Sequence, residues 1–172
     1  MKKLFLPFFF IIFFSNNAIC AEKIAFIDMD RVISTSISGV AILEQLNKSN
    51  KENIIFFKKE EKMLEEKKTK LISQKNIISE ADFQNKIKQF KVEINNYNKN
   101  KDKIIKDFNK LKVNSTNELL KLINPILIKY SDENFISVIL QKKDLVIGKK
   151  ELDITDEIIK IVNTQVKKFK IN

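Results

Sequence analysis

Lysine dominates the side chains through which this sequence could act. Of its 32 basic residues only Arg31 is not lysine; they face 22 acidic residues, for a formal net charge of +10 over 172 positions. There is no His and a single Cys, Cys20. Without His, no Ser-His-Asp or Cys-His nucleophile and no His-containing metal site can be built. One Cys closes no intramolecular disulfide and holds no thiolate zinc site or iron–sulfur cluster. Two isolated glycines, Gly39 and Gly148, make neither a P-loop nor a dinucleotide fingerprint, both of which need several glycines to bring backbone close to phosphate. A conventional enzyme is not expected, and neither a metal nor a cofactor is implied. What remains is charge, which attracts anionic surfaces at long range. Nucleic acid is a poor candidate partner, because recognition of phosphate and guanine favours the planar fork of Arg. Asn, Ile and Phe are abundant too, a mixture that an AT-rich coding sequence produces without selection for binding.

The first twenty residues read as an address. Met1-Lys2-Lys3 is a positive start, Leu4 to Phe14 is an apolar run, and Ser15-Asn16-Asn17 turns polar before Ala18-Ile19-Cys20-Ala21. That order is the pattern of a secretory signal peptide. The run is well short of the ~20 residues a helix needs to span a bilayer. Cleavage after Cys20 or Ala21 is one outcome. Acylation of a retained Cys20 is the other, although the residue before it, Ile19, is not small. With 1–20 removed as a signal peptide, Lys2 and Lys3 leave, and 30 basic against 22 acidic residues make the exported chain +8.

Few glycines and prolines point to long helices. Lys23 to Met29 reads as a short buried strand, and residues 31–40 as a turn or loose helical start. From about Val40 to Ile123 there is no proline, and the pattern is helical. Pro125 should interrupt or bend it, with Ile126 to Tyr130 able to continue for a turn or two. Phe83, Ile87, Phe90, Ile94, Tyr97, Lys101, Ile104, Phe108 and Leu111 are separated by alternating steps of four and three. That 3.5-residue repeat is a coiled-coil seam with one polar violation, Lys101. Upstream, Phe57, Leu64, Leu71 and Ile78 repeat every seven, with polar Asn53, Glu60, Lys67 and Gln74 between them. One helix brings a full apolar seam and the other half of one, which should let the two splay.

Ser79-Glu80-Ala81-Asp82 fits a serine N-cap followed by acids at the positive end of a helix. The chain should therefore reverse near 75–79, giving antiparallel arms over 44–75 and 79–123, roughly 50 and 65 Å long at 1.5 Å per residue. A single long helix in a parallel dimer is the alternative. Asn134 to Leu140 and Leu145 to Gly148 resemble a β-hairpin. Asp153-Ile154-Thr155-Asp156-Glu157 should cap a last helix carrying Ile158, Ile161, Val162, Val166 and Phe169 on its apolar positions. The fold class is α+β, mainly α. A long antiparallel helical hairpin, 44–123, is inserted into a small body made of 21–43 and 124–172. A body of that size buries too little surface to be comfortably stable alone, and open strand edges invite pairing. Both point to an obligate oligomer.

Lys23-Ile24-Ala25-Phe26-Ile27-Asp28-Met29-Asp30-Arg31-Val32 with Gly39, Leu43 and Leu46 resembles the start of the Skp/OmpH family of periplasmic chaperones. The closing segment is similar too: Ile139-Leu140, Lys142-Lys143, Leu145-Val146-Ile147, then Leu152-Asp153-Ile154-Thr155-Asp156-Glu157-Ile158-Ile159. The resemblance implies a periplasmic homotrimer with a central β-barrel and three helical tentacles around a cavity. It further implies that the cavity holds unfolded outer-membrane proteins without ATP and prevents their aggregation. On that basis Ile24, Phe26, Ile136, Val138, Leu140 and Val146 are the candidate trimer contacts.

The arm chemistry comes from the residues themselves. Phe57, Leu64 and Leu71, with the returning series from Phe83 to Leu111, form the seam, and Phe56 beside Phe57 is a candidate client-facing spot. Residues 83–123 carry ten Lys and four acids, a net +6, so most of the excess charge lies on one arm. Lys86, Lys88, Lys91, Lys99, Lys103, Lys106 and Lys110 are the candidates for steering acidic clients, anionic phospholipid or lipopolysaccharide towards the arms. The alternative function is a basic coiled-coil scaffold of the envelope that binds lipopolysaccharide or a membrane surface without chaperoning.

Overall fold

The computed structural model describes residues 22–166; the segment expected to be a signal peptide, with Cys20, and Phe169 lie outside the described residues. The chain begins with β1 (Lys23–Ile27). Its alternation turns Ala25 and Ile27 into the core, and Asp28 ends it by accepting the Arg31 N–H at 2.9 Å. That contact caps α1 (Met29–Thr35). The expected turn over 31–40 is instead helical, broken only at Ser36. This residue is extended (φ −67°, ψ 151°), and its buried hydroxyl accepts from the Gly39 N–H at 3.2 Å to start α2. The first arm, α2 (Ile37–Ser73), thus begins within the body, at Ile37 rather than at 44. After a turn, Ser79 caps α3 (Glu80–Glu133), accepting from the Asp82 N–H at 3.1 Å.

Pro125 does not stop α3. It lacks the N–H for one helical bond, but Ile123 and Ile126 on either side of it are buried in the core, and that packing carries the helix through. With 54 residues against 37, α3 is the longer helix by roughly 25 Å at 1.5 Å per residue. It returns past the start of α2 to the end of the sheet where β1 began. β2 (Ile136–Gln141) therefore runs parallel to β1, pairing Ile24 with Val138 and Phe26 with Leu140.

The hairpin expected between Asn134–Leu140 and Leu145–Gly148 does not form. Lys142–Asp144 makes a 3-10 turn that leads the chain away from β2, and Gly148 then crosses the Phe26 ring. A Cβ on Gly148 would lie 2.7 Å from that ring, so only glycine allows the crossing. After a second 3-10 turn, Lys150–Leu152, Asp153 bridges to Phe26 on the edge of β1 opposite β2. The last helix, α4 (Thr155–Gln165), packs Ile158 and Val162 fully into the core beside Val32, Leu119 and Ile123. Among the described residues no helix is long and apolar enough to cross a membrane.

Gly39 marks where α2 leaves α1. A Cβ there would fall 1.7 Å from the Ile33 carbonyl oxygen, so the backbones meet without room for a methyl group. Gly→Ala inside a helix normally stabilises by about 0.5–1 kcal/mol. Here overpacking reverses the sign, and Gly39→Ala should destabilise the body by about 1–3 kcal/mol, measurable by urea denaturation. An unchanged or raised midpoint would contradict this packing.

Candidate functional site

The two arms meet along the seam in antiparallel register. Leu71 and Phe83, the seam residues flanking the turn, are buried. Phe57, Leu64, Ile87, Phe90, Ile94, Tyr97, Ile104, Phe108 and Leu111 are half-buried. Phe108 and Leu111 reach the body core, and the apolar stripe then continues through Ser115, Leu119 and Ile123 in steps of four. Those steps replace the 3.5 repeat with the wider pattern of globular helix packing.

Two of the four polar seam positions, Lys67 and Gln74, are matched across the seam. Gln74 Oε1 accepts from Lys86 Nζ at 2.7 Å, and Lys67 pairs with Glu93 at 2.7 Å. Lys101, the violation in the α3 seam, reaches Glu61 Oε1 at 2.7 Å, and the Tyr97 hydroxyl donates to the same oxygen at 2.7 Å. The Lys101 ammonium also lies 5.3 Å from the centre of the Phe57 ring. The hydrogen bonds from Lys101 and Tyr97 hold the Glu61 carboxyl below its ordinary pKa, and the bond to Glu61 raises that of Lys101. Half a polar seam therefore gives a specified register rather than a merely loose one. Glu61 was not legible from the heptads, because it stands one position beyond the polar seam residue Glu60; only the register of the two arms brings it to Lys101.

All seven lysines singled out on the returning arm are exposed, and none has a carboxylate partner among the described residues. Lys86 alone is engaged, by Gln74. Between the charges, Ile54, Ile55, Phe56, Met63, Val92 and Ile105 are exposed along both arms, as are Ile72 and Ile77 at the tip.

The six body candidates divide. Phe26 and Ile136 are buried within the protomer, whereas Ile24, Val138 and Leu140 are exposed and Val146 is fully so. Ile24 pairs with Val138 and Phe26 with Leu140, which puts these four on the sheet face opposite the core. On the core side, Ile27, Ile33, Leu120, Leu127, Ile136 and Ile139 help line an open cavity of about 610 Å³ between the sheet and α3.

Residues 23–162 match the family described as outer membrane protein (OmpH-like). The chain belongs to the OmpH-like family. Its fold is also that of a crystal structure of a candidate outer membrane chaperone (OmpH-like) from Caulobacter crescentus CB15. That likeness has a TM-score of 0.80 at 14% sequence identity, over 88% of this chain and 89% of that one. No curated protein matches the sequence closely enough to count as a relative.

The motif residues of this OmpH-like chain, separated by the whole hairpin, are joined in one clasp. The Asp28 N–H donates to Thr155 Oγ1 at 2.9 Å, and the Ile154 N–H to the Phe26 carbonyl at 3.0 Å. Arg31 pairs with Asp156 at 2.5 Å, and Lys142 with Asp153 at 3.0 Å. The N-cap of α4 is Ile154, which has no side-chain oxygen to offer; Asp153 supplies the capping carboxylate from one residue earlier, accepting from both the backbone N–H and the hydroxyl of Thr155. Burial pushes the Asp153 pKa up, but the bonds from Thr155 and Lys142 outweigh it and hold the carboxyl below its ordinary value.

A carboxyl whose pKa is depressed by folding stabilises the native state above its unfolded pKa and loses that contribution as pH falls. Asp153→Ala should therefore cost about 1–2 kcal/mol near neutral pH, the range for loss of a capping side chain. The gap from wild type should narrow below pH 3.8, the ordinary value for this group. Thermal melts of both proteins across that window test it; a gap that widens in acid would contradict the clasp.

Proposed function

We propose that this chain is an exported, ATP-independent holdase that binds unfolded outer-membrane proteins between its helical arms and keeps them from aggregating. Membership of the OmpH-like family supports that role, as does the description of its structural likeness as an outer membrane chaperone. The carrying observation is the arm surface: two long helices expose Ile, Phe, Met and Val together with many lysines, and the seven lysines singled out on α3 have no carboxylate partner among the described residues. Such a surface offers many weak contacts, and multivalency turns them into avidity without imposing one conformation on the client. The lysines attract acidic clients or an anionic lipid surface, and the apolar side chains make the short-range contacts.

The working form in this proposal is a periplasmic homotrimer. A two-stranded parallel sheet is rarely stable with one face open, since parallel sheets are normally covered on both. Ile24, Val138 and Leu140 leave that face apolar, β2 has a free edge, and Val146 and Ile147, between the two 3-10 turns, are exposed and unpaired. Three copies arranged in a closed ring would cover all three features.

The purified exported chain should suppress light scattering when a urea-unfolded outer-membrane barrel protein is diluted into buffer with stoichiometric trimer. Scattering unchanged at several-fold excess would overturn the holdase reading and favour the envelope scaffold. Reversing Lys88, Lys91 and Lys103 to Glu should slow capture of an acidic client roughly tenfold at low ionic strength. The difference should shrink with added salt, as the Debye length falls to about 8 Å at physiological ionic strength. Salt-independent capture would remove charge steering from the proposal.

A further inference from the structure

Phe135 combines two unfavourable features. It is the sole non-glycine residue with positive φ among the described residues, at 55°, and it is 87% exposed. It stands directly after the C-cap of α3, Asn134 (φ −107°, ψ 6°), whose N–H bonds back to the Tyr130 carbonyl at 3.1 Å. This is the position at which helices recruit glycine, because a left-handed backbone strains any residue with a Cβ and strains a bulky one most. The geometry is held in place nonetheless. The Phe135 N–H reaches the Asp132 carbonyl at 3.4 Å, Lys23 Nζ donates to the Asn134 carbonyl at 3.3 Å, and Ile136 next to it is buried.

We infer that Phe135 is a subunit-locking residue, whose ring packs against a second copy of this chain. The inference rests on the proposed trimer and names a residue that secures it. Three observations favour a second copy as the occupant. Phe135 immediately precedes β2, so its ring stands at the end of the strand whose outer edge is free. The two-stranded sheet that it leads into exposes further apolar side chains, Ile24, Val138 and Leu140. The strain is also permanent: a client contact would offset it only while a client is bound, whereas a subunit contact offsets it throughout the life of the protein.

The test compares wild type, Phe135→Gly and Phe135→Ala as full exported chains, by sedimentation across a dilution series. Glycine removes both ring and strain; alanine removes the ring and keeps the strain. Both variants should raise the midpoint for trimer dissociation at least tenfold. At concentrations where all are dissociated, Phe135→Gly should melt above wild type, so that weaker assembly cannot be blamed on poorer folding. A wild-type trimer with both variants dissociating within twofold of it would overturn the inference and leave the trimer standing. Loss of client binding in the variants with assembly unchanged would overturn it likewise. A wild-type chain that stays monomeric throughout would overturn the trimer itself, and this inference with it.

Discussion

The strand β1 is bonded along both edges by parts of the chain that lie on the far side of the hairpin. Its Phe26 pairs with Leu140 on one edge and accepts the Ile154 N–H on the other, while Asp28 at its end meets Thr155. Five residues are too few for an independent strand, so β1 has no stability apart from these returns. Each return requires the arms to be paired in the correct register, since α3 delivers β2. A flexible segment of this length would add closure entropy to every contact at the base. A helical hairpin limits that cost, because its ends are kept near one another by its own seam.

The seam accordingly does more than hold the arms together. Lys101, Glu61 and Tyr97 form a polar group that is satisfied in one register only, and a slip by one helical turn would strand it against apolar neighbours. A polar residue in a coiled-coil seam lowers stability and raises specificity. The pairs Lys67–Glu93 and Lys86–Gln74 repeat the device towards the tip. These contacts are exposed, and each is weak. Buried packing is concentrated at the two ends, at Leu71 and Phe83 by the tip and in the core by the body. The middle of each arm is therefore tied in register while remaining the least densely packed part of the molecule.

How much of this was legible in the sequence depended on whether a residue's partner was local. The strict spacing from Phe83 to Leu111 and the serine cap at Ser79 are local signals, and the helical hairpin follows from them. The parallel pairing of β2 was not legible, because alternation in Ile136–Gln141 says which side chains share a face and nothing about the neighbouring strand. Leu145 to Gly148 has the composition of a strand, yet the space over the Phe26 ring decides its path. Pro125 carries a strong local signal to stop, overridden by core packing at Ile123 and Ile126. The candidate body residues divided for a similar reason. Phe26 and Ile24 occupy the same face, and the crossing at Gly148, with Lys142 over the same ring, covers one and leaves the other open.

The molecule exposes apolar side chains in two different settings, and the difference is consistent with two uses. In the body, Ile24, Val138 and Leu140 share one sheet face next to a free strand edge, and Val146 and Ile147 are exposed between the two 3-10 turns that follow. A continuous surface of that kind is a liability unless permanently covered. On the arms, exposed Ile54, Ile55 and Phe56 form one short run, whereas Met63, Val92 and Ile105 stand apart from one another beside lysines and other polar residues. Apart from that run they form no continuous sticky face, and the unpaired lysines add repulsion between arms of neighbouring molecules. An arm able to touch an unfolded chain at many points must avoid touching other arms at as many, and interspersed like charge meets both demands with the same residues. The lysine excess thus has a consequence beyond attraction: it keeps the exposed apolar side chains of the arms available by keeping the arms from binding one another.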